Sequence, residues 1–264
     1  MLSFVRNAWA QRALLASLIK RDFVGSYTGS ILGTVWAFID PLMYIALTLL
    51  FFQFAIRGVE TSGVPYVAWV LPQIVFWTFI SNVVNSAVNS IREYNFLMRH
   101  RDFDLRLIAL IKMGSALIVH LFMVSIVLFV LFVMLGVQIS IRTPTAVYYL
   151  LSMCILLIIL SWIISSLGVF WKDIRNIVSV ILQIQFWISP IFWDANRFPG
   201  PIAFVMKLNP FYYPMNGYRQ AILSIQPGPE FWPMTIYFWV VVICLAFLGS
   251  HLFRRLSRSF GDVI

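Results

Sequence analysis

Along the chain, short mixed segments alternate with long apolar runs. A helix needs roughly 20 apolar residues to cross a bilayer. Six runs approach that length: 36–56, 66–89, 112–135, 146–171, 177–193 and 233–253. The pattern predicts an all-α integral membrane protein, a single unit over 1–264, with about six transmembrane helices. Segment 1–34 precedes the first run. On a helix at 100° per residue, Phe4, Ala8, Leu15, Leu18 and Ile19 share one face, and Arg6, Ser17, Lys20 and Arg21 lie opposite. That is the pattern of an amphipathic helix in the membrane interface, and a generic juxtamembrane helix would look the same. Arg12 and Asp22 fall on or near the apolar face and break the pattern.

Two connections are unusual. The connection 91–111 mixes charges of both signs with Tyr94, Phe96, Leu97, Met98, Phe103 and Leu105. So many large apolar groups predict a short helix that docks into a partner's groove. The connection 194–232 is long and semi-apolar and contains Pro199, Pro201, Pro210, Pro214, Pro227 and Pro229. It predicts short re-entrant helices covered by protein or water, with an ordinary extracytoplasmic loop as the alternative.

Composition strengthens the membrane reading. The chain is 61% hydrophobic and 11% charged, with mean hydropathy +0.89, whereas soluble domains carry about 25% charged residues. The net charge of +9 is a topology signal. Fourteen of the 19 basic residues fall in the N-terminal segment, the second-to-third and fourth-to-fifth connections, and the C-terminal tail. An even number of spans then places both termini in the cytoplasm. Charge spread over membrane-edge loops does not suit nucleic acid. Arg6, Arg12, Lys20 and Arg21 interrupt the first stretch, so the spans themselves, rather than a cleavable signal, are expected to direct insertion.

Candidate chemistry is sparse. Cys154 and Cys244 lie inside apolar runs and read as small buried hydrophobes. His100, His120 and His251 are far apart, so no metal site is expected. Asp40, beside Pro41, reads as a helix-start residue. Gly25, Gly29 and Gly33 recur every fourth residue, with Ser26, Ser30 and Thr34 in a parallel row. On a helix they predict close packing, while as an elbow they would provide flexibility. Thr78, Asn82, Asn85, Ser86 and Asn89 form a polar stripe in the second run, and Asn176, Ser179 and Gln183 a smaller one in the fifth. Amides in lipid need a partner or water, so the stripes predict either a polar path or interhelical bonds. Aromatics such as Tyr44, Phe51, Phe52, Trp69, Phe76, Trp77, Trp162, Phe186, Trp187, Phe192 and Trp193 suit a membrane-interface belt or the C–H face of a sugar. No G-x-x-x-x-G-K-[ST] phosphate loop occurs in the chain.

Several stretches taken together resemble the ABC-2 type permeases, and within them the polysaccharide exporters. These are LIKRDF at 18–23, GSILGTVW at 29–36, PLM at 41–43, SPIFW at 189–193, Asn209-Pro210 and Tyr218-Arg219. The resemblance covers nearly the whole chain. It implies a bacterial inner-membrane homodimer that exports a lipid-linked glycan of the O-antigen (lipopolysaccharide), capsule or teichoic acid kind. ATP and magnesium would be bound by a separate ATPase subunit, and this chain would carry no catalytic residue or cofactor. The resemblance implies coupling to the ATPase through Tyr94, Phe96, Leu97 and Phe103. Attraction of a lipid head group would fall to Lys20 and Arg21, and a path would run along Trp77, Asn82, Asn85, Asn89, Asn176 and Gln183. The alternatives are an exporter of a lipid or drug and a non-transporting scaffold. The chain departs from the family at Ser26 and Thr28, where basic residues are common, and at Phe103-Asp104, where Phe-Pro is common.

Overall fold

The computed structural model describes residues 2–55, 60–61, 63–99, 103–138 and 140–263. Residue 56, residues 100–102 and the side chain of Phe52, all within the expectations above, lie outside what is described. Ten α-helices are present among the described residues: α1 (Leu2–Ala10), α2 (Arg12–Gly25), α3 (Trp36–Ala55), α4 (Tyr66–Glu93), α5 (Ile108–Phe129), α6 (Thr145–Phe170), α7 (Ile174–Ile188), α8 (Gly200–Leu208), α9 (Tyr212–Ile222) and α10 (Phe231–Leu256). A two-residue hairpin pairs β1 (Glu60–Thr61) with β2 (Val64–Pro65) between α3 and α4.

Five helical stretches among the described residues are long and apolar enough to cross a membrane: Gly33–Phe51, Tyr66–Ala87, Leu105–Met134, Thr145–Phe170 and Phe231–Gly261. The fifth expected span is the exception. α7 has 15 residues, which rise only about 22 Å at 1.5 Å each, short of a hydrocarbon core of about 30 Å. It ends at Ser189 and Pro190, and the 194–232 region then folds into α8 and α9 rather than an open loop.

α4 is the central post. Every residue from Val67 to Trp77 is buried, and the helix packs most extensively on α6 and α5. Packing this tight in lipid needs small groups at the crossings. Gly168 of α6 faces the backbone of α4, and a Cβ there would stand 2.2 Å from the Val88 carbonyl oxygen. Gly249 lets α10 approach Ile159 of α6, and Gly114 of α5 receives Ile19 of α2. The buried hydroxyls of Ser152 and Ser161 bond to the carbonyls of Tyr148 and Leu157, 2.8 and 2.7 Å away on their own helix, so they add no unpaired polar group to the core.

The 25–33 segment corrects the packing expectation for the glycines. α2 stops at Gly25, and Gly29 and Gly33 adopt φ of +94° and +53°. The three therefore share no helix face, and a Cβ at any of them would meet nothing within 4 Å. The Ser26 hydroxyl donates to the Asp22 carbonyl and the Thr28 hydroxyl to the Gly25 carbonyl, 2.9 and 2.8 Å away. They close the last turn of α2, where carbonyls lack helical partners. Asp40 is likewise not at a helix start, because α3 begins four residues earlier at Trp36 and carries Pro41 inside it.

At the opposite end, Gln73 of α4 donates to the Met215 carbonyl of α9 at 2.7 Å, and the Tyr66 hydroxyl donates to the Phe192 carbonyl at 2.7 Å. Arg219 of α9 is fully buried. Its guanidinium lies 3.7 Å from the centre of the Trp69 ring and donates to the Pro190 carbonyl and the Asn216 side chain, both at 2.8 Å. A charge at this depth persists only with such partners.

Candidate functional site: a polar cavity between the first helices and the second span

α1 and α2 lie along the bundle through the face read from periodicity. Phe4, Leu15 and Leu18 are buried, while Arg6, Ser17, Lys20 and Arg21 are exposed. Phe4 meets the Trp162 ring edge-on at 5.0 Å, and the Trp162 indole donates to the Arg106 carbonyl at 3.1 Å. Asp22, the charge that broke the apolar face, points into the bundle for a reason. Lys112 of α5 reaches Asp22 at 2.7 Å and Glu93 of α4 at 2.6 Å. The Tyr94 hydroxyl donates to the same Asp22 oxygen at 2.8 Å. Asp22 and Lys112 side chains are only 9% and 8% exposed. One ion cluster, buried at Asp22 and Lys112 and half-exposed at Glu93, therefore joins α2, α5 and the start of the 91–111 connection. Burial, together with the bond to Asp22, raises the Tyr94 phenol well above its ordinary value, which keeps it a donor.

Beside this cluster opens a cavity of about 460 Å3. Asp22, Phe23, Ser26 and Tyr27 line one side, and Asn82, Asn85, Ser86 and Asn89 of α4 another. Lys112, Ser115 and Arg175 complete it. Asn85 donates to Ser81 one turn earlier at 3.3 Å, and Ser86 bonds the Val83 carbonyl. Asn82 and Asn89 have no side-chain hydrogen bond among the described residues. Asn82, Asn85, Ser86 and Asn89 therefore face the cavity instead of tying α4 to a neighbouring helix, while Thr78 lies outside it and bonds the Ile74 carbonyl of its own helix. Two of the formal cations on the wall differ in availability: Lys112 is held by two carboxylates, whereas Arg175 is exposed and forms no ion pair among the described residues. Beside Arg175 and the apolar Phe23, Ala116 and Val119, the wall presents amides and hydroxyls, suited to a ligand rich in hydrogen-bonding groups.

The other site residues fall in different places. Trp77 is buried against Phe186 and Phe211, with ring centres 5.8 and 6.4 Å away, and does not line the cavity. Asn176 and Gln183 are exposed on α7 and also lie outside it. Lys20 and Arg21 border a separate open depression of about 360 Å3 with Ser17, Val24, Gly25 and Thr28. The Arg21 guanidinium sits 4.7 Å from the Phe96 ring centre and 5.8 Å from that of Tyr94, a cation–aromatic contact that holds α2 to the connection. Tyr94 and Leu97 are buried, and Phe96 is exposed. Phe103 sits on a further groove of about 480 Å3 with Asp104, Leu105, Arg106, Phe253, Arg254 and Ser257.

Asp104 anchors that groove. It accepts from the Arg106 backbone and guanidinium and from the Asn7 amide. Burial pushes its carboxyl pKa up, but these bonds outweigh it and hold the value below the ordinary 3.8. A depressed carboxylate stabilises the fold fully above its unfolded pKa and loses that contribution as pH falls through the folded value. The thermal midpoint of the detergent-solubilised protein should therefore exceed that of Asp104→Asn by a constant margin above about pH 5. The margin should shrink as the solution is acidified, and a margin independent of pH would contradict this.

Sequence reasoning missed Lys112, Glu93, Arg175 and Tyr27 as parts of the site, and Gly114, Gly168 and Gly249 as packing positions. The signal for the ion cluster was the misplaced Asp22 itself. An acid on an apolar helix face needs a cation across from it.

These features define a multi-pass, all-α membrane protein with a polar cavity entered between its first helices and its second span. Among the described residues no cluster of His, Cys, Asp or Glu could hold a metal. The chain belongs to the ABC-2 type transporter family, whose sequence profile matches residues 13–223. It is 25% identical to the O-antigen export system permease protein RfbA of Myxococcus xanthus, over the whole of both chains. It is 21% identical to the protein of the same name from Klebsiella pneumoniae, over 95% of each chain. It is 22% identical to the capsule polysaccharide export inner-membrane protein CtrC of Neisseria meningitidis serogroup A, over 97% of this chain and 96% of that one.

Proposed function

We propose that this chain is the permease subunit of an ATP-driven exporter that moves a lipid-linked polysaccharide outward across the bacterial inner membrane. The observation that carries the reading is the cavity, where Asn82, Asn85 and Asn89 present amides to open space next to the end of α2. Amides and hydroxyls complement sugar hydroxyls, which both donate and accept. The names of the relatives point to the same cargo class. The basic-residue bias supports a cytoplasmic position for the α2 end of the bundle. There Lys20 and Arg21 draw in the anionic lipid head, and the glycan enters the asparagine cavity.

Two copies of the chain enclose the path. A separate ATPase subunit, carrying ATP and magnesium, docks against the 91–111 connection, because this chain has no phosphate loop. Movement of Phe96 and Phe103 by that subunit reaches Tyr94, and Tyr94 reaches Asp22 on α2.

The test is export in cells that depend on this chain, together with co-purification of the ATPase subunit. In a variant with Asn82, Asn85 and Asn89 all changed to Leu, three side chains lose hydrogen bonds worth about 1 kcal/mol each. Surface polysaccharide should fall about a hundredfold, at tenfold per 1.4 kcal/mol, while the ATPase still co-purifies. Full export by this variant would exclude a glycan in the cavity and favour a lipid or drug as cargo. Absence of any ATPase partner would overturn the exporter reading itself.

A further inference from the structure

A second cavity, of about 310 Å3, lies at the far end of the bundle, away from the asparagine stripe. It is enclosed by Tyr149 near the start of α6, by α9, and by the 227–229 turn that leads into α10. Its wall is rigid. The Tyr213 hydroxyl is within hydrogen-bond distance of the Tyr148 hydroxyl at 3.2 Å and accepts from Thr235 at 3.0 Å, and the Trp239 indole donates to Tyr148 at 2.9 Å. The Tyr149 ring packs onto the α9 backbone at Gly217, where a Cβ would stand 2.0 Å from it.

Against this wall, several polar groups keep hydrogen-bonding capacity that no protein group among the described residues uses. Tyr212 is only 5% exposed, yet its hydroxyl makes no hydrogen bond among the described residues. The Gln220 amide likewise has none. Asn216 uses its carbonyl oxygen for Arg219 and keeps two N–H donors. Glu230 uses one oxygen for Lys207 at 2.5 Å and keeps the other. Donors and acceptors therefore converge on one small space.

This set selects a chemistry. An apolar ligand would leave the phenol and both amides desolvated and unpaired. An anion would face Glu230, and Lys207, the nearby cation, is already paired. A cation would find a carboxylate that is already neutralised. A neutral polyol offers hydroxyls that match both donors and acceptors, and the Tyr149 and Phe231 rings supply flat faces for its C–H groups. The volume lies at the lower end of ligand pockets, about 300–1,000 Å3, which suits a single sugar unit rather than a chain. We infer that this cavity is a binding site for a neutral sugar residue, separate from the asparagine cavity. The inference rests on the exporter reading only for the source of the sugar.

The test uses the permease–ATPase complex in nanodiscs and saturation-transfer NMR. The probes are the methyl glycosides of glucose, galactose, mannose and rhamnose, with glucose 6-phosphate and choline as charged controls. Transfer is expected to at least one neutral glycoside, weak or absent for both controls, and reduced about tenfold in Gln220→Ala, the loss of roughly 1.4 kcal/mol. Glu230→Gln, which keeps the shape, should reduce it as well. No transfer to any neutral glycoside, equal transfer to a control, or transfer unchanged in both variants would sink the proposal. Reduced export in Gln220→Ala cells would identify the sugar as part of the chain in transit, and unchanged export with lost transfer would identify a free saccharide. ATPase co-purification is the independent reading. If it persists while glycoside transfer is absent, only this site fails, and the exporter assignment stands.

Discussion

Gly168→Ala is expected to cripple the protein, while Gly25→Ala is expected to be silent. The two glycines differ in what lies beyond the missing side chain. At Gly168 an added Cβ would sit 2.2 Å from a main-chain oxygen of α4 and 3.2 Å from the carbon that bears it. Backbone cannot swing aside as a flexible side chain can, so α4 and α6 must separate. The Arg92 guanidinium, which donates to the Val169 carbonyl at 2.7 Å, would lose its geometry at the same crossing. Overpacking of this kind costs about 1–3 kcal/mol and sometimes more, and here it strikes the most extensive helix pair in the bundle. Fluorescence-detected size exclusion of a tagged protein should show loss of the monodisperse peak, and Gly168→Leu should abolish it. At Gly25 nothing lies within 4 Å and φ is not positive, so the effect should stay within about 0.5 kcal/mol. Normal behaviour of Gly168→Ala would mean that α4 and α6 do not cross as closely as described.

Lys112→Met should be the most damaging change to a charged residue. It leaves the Asp22 carboxylate buried beside Tyr94 with no cation, and breaking one partner of a buried pair costs about 3–5 kcal/mol. α2 would lose its ionic tie to α5, while the Tyr94 bond to Asp22 would remain. Export should fall with the protein's thermal midpoint. The double variant Asp22→Leu with Lys112→Met should recover part of the midpoint, since replacing a buried pair with apolar groups is often neutral or better. Should it regain stability but not export, the cluster has a mechanical role beyond holding the fold. If Lys112→Met alone is as stable as the parent, the cluster is not buried as the structure has it.

How much was legible beforehand differs residue by residue. The exposed and buried sides of α2 followed from 100° periodicity, because a helix at a surface repeats its environment every turn. The asparagine stripe on α4 was legible for the same reason, and its spacing put Asn82, Asn85 and Asn89 on one wall. Asn176 and Gln183 have an equally good pattern, yet α7 turns them elsewhere, and periodicity says nothing about which way a face points. Trp77 shares a helix with the stripe but faces Phe186 and Phe211, two aromatics more than 100 residues away in sequence. The glycine repeat misled because spacing implies a shared face only inside a helix. Ser26 and Thr28 bond the carbonyls at the end of α2 and stop it there.

The sequence by itself determined that this is a helical membrane protein, and which side of the segment before the first span is apolar. Lipid offers no hydrogen bonds, so a spanning segment must be a helix or a strand of a closed barrel, and runs of about 20 apolar residues meet the helical requirement locally. The tertiary structure alone decided which glycines are crossings, which acid has a cation, and which polar stripe borders open space. Gly168 and Val88, or Asp22 and Lys112, become neighbours only after whole helices have packed. Their energies depend on distances between segments that no repeat along the chain encodes.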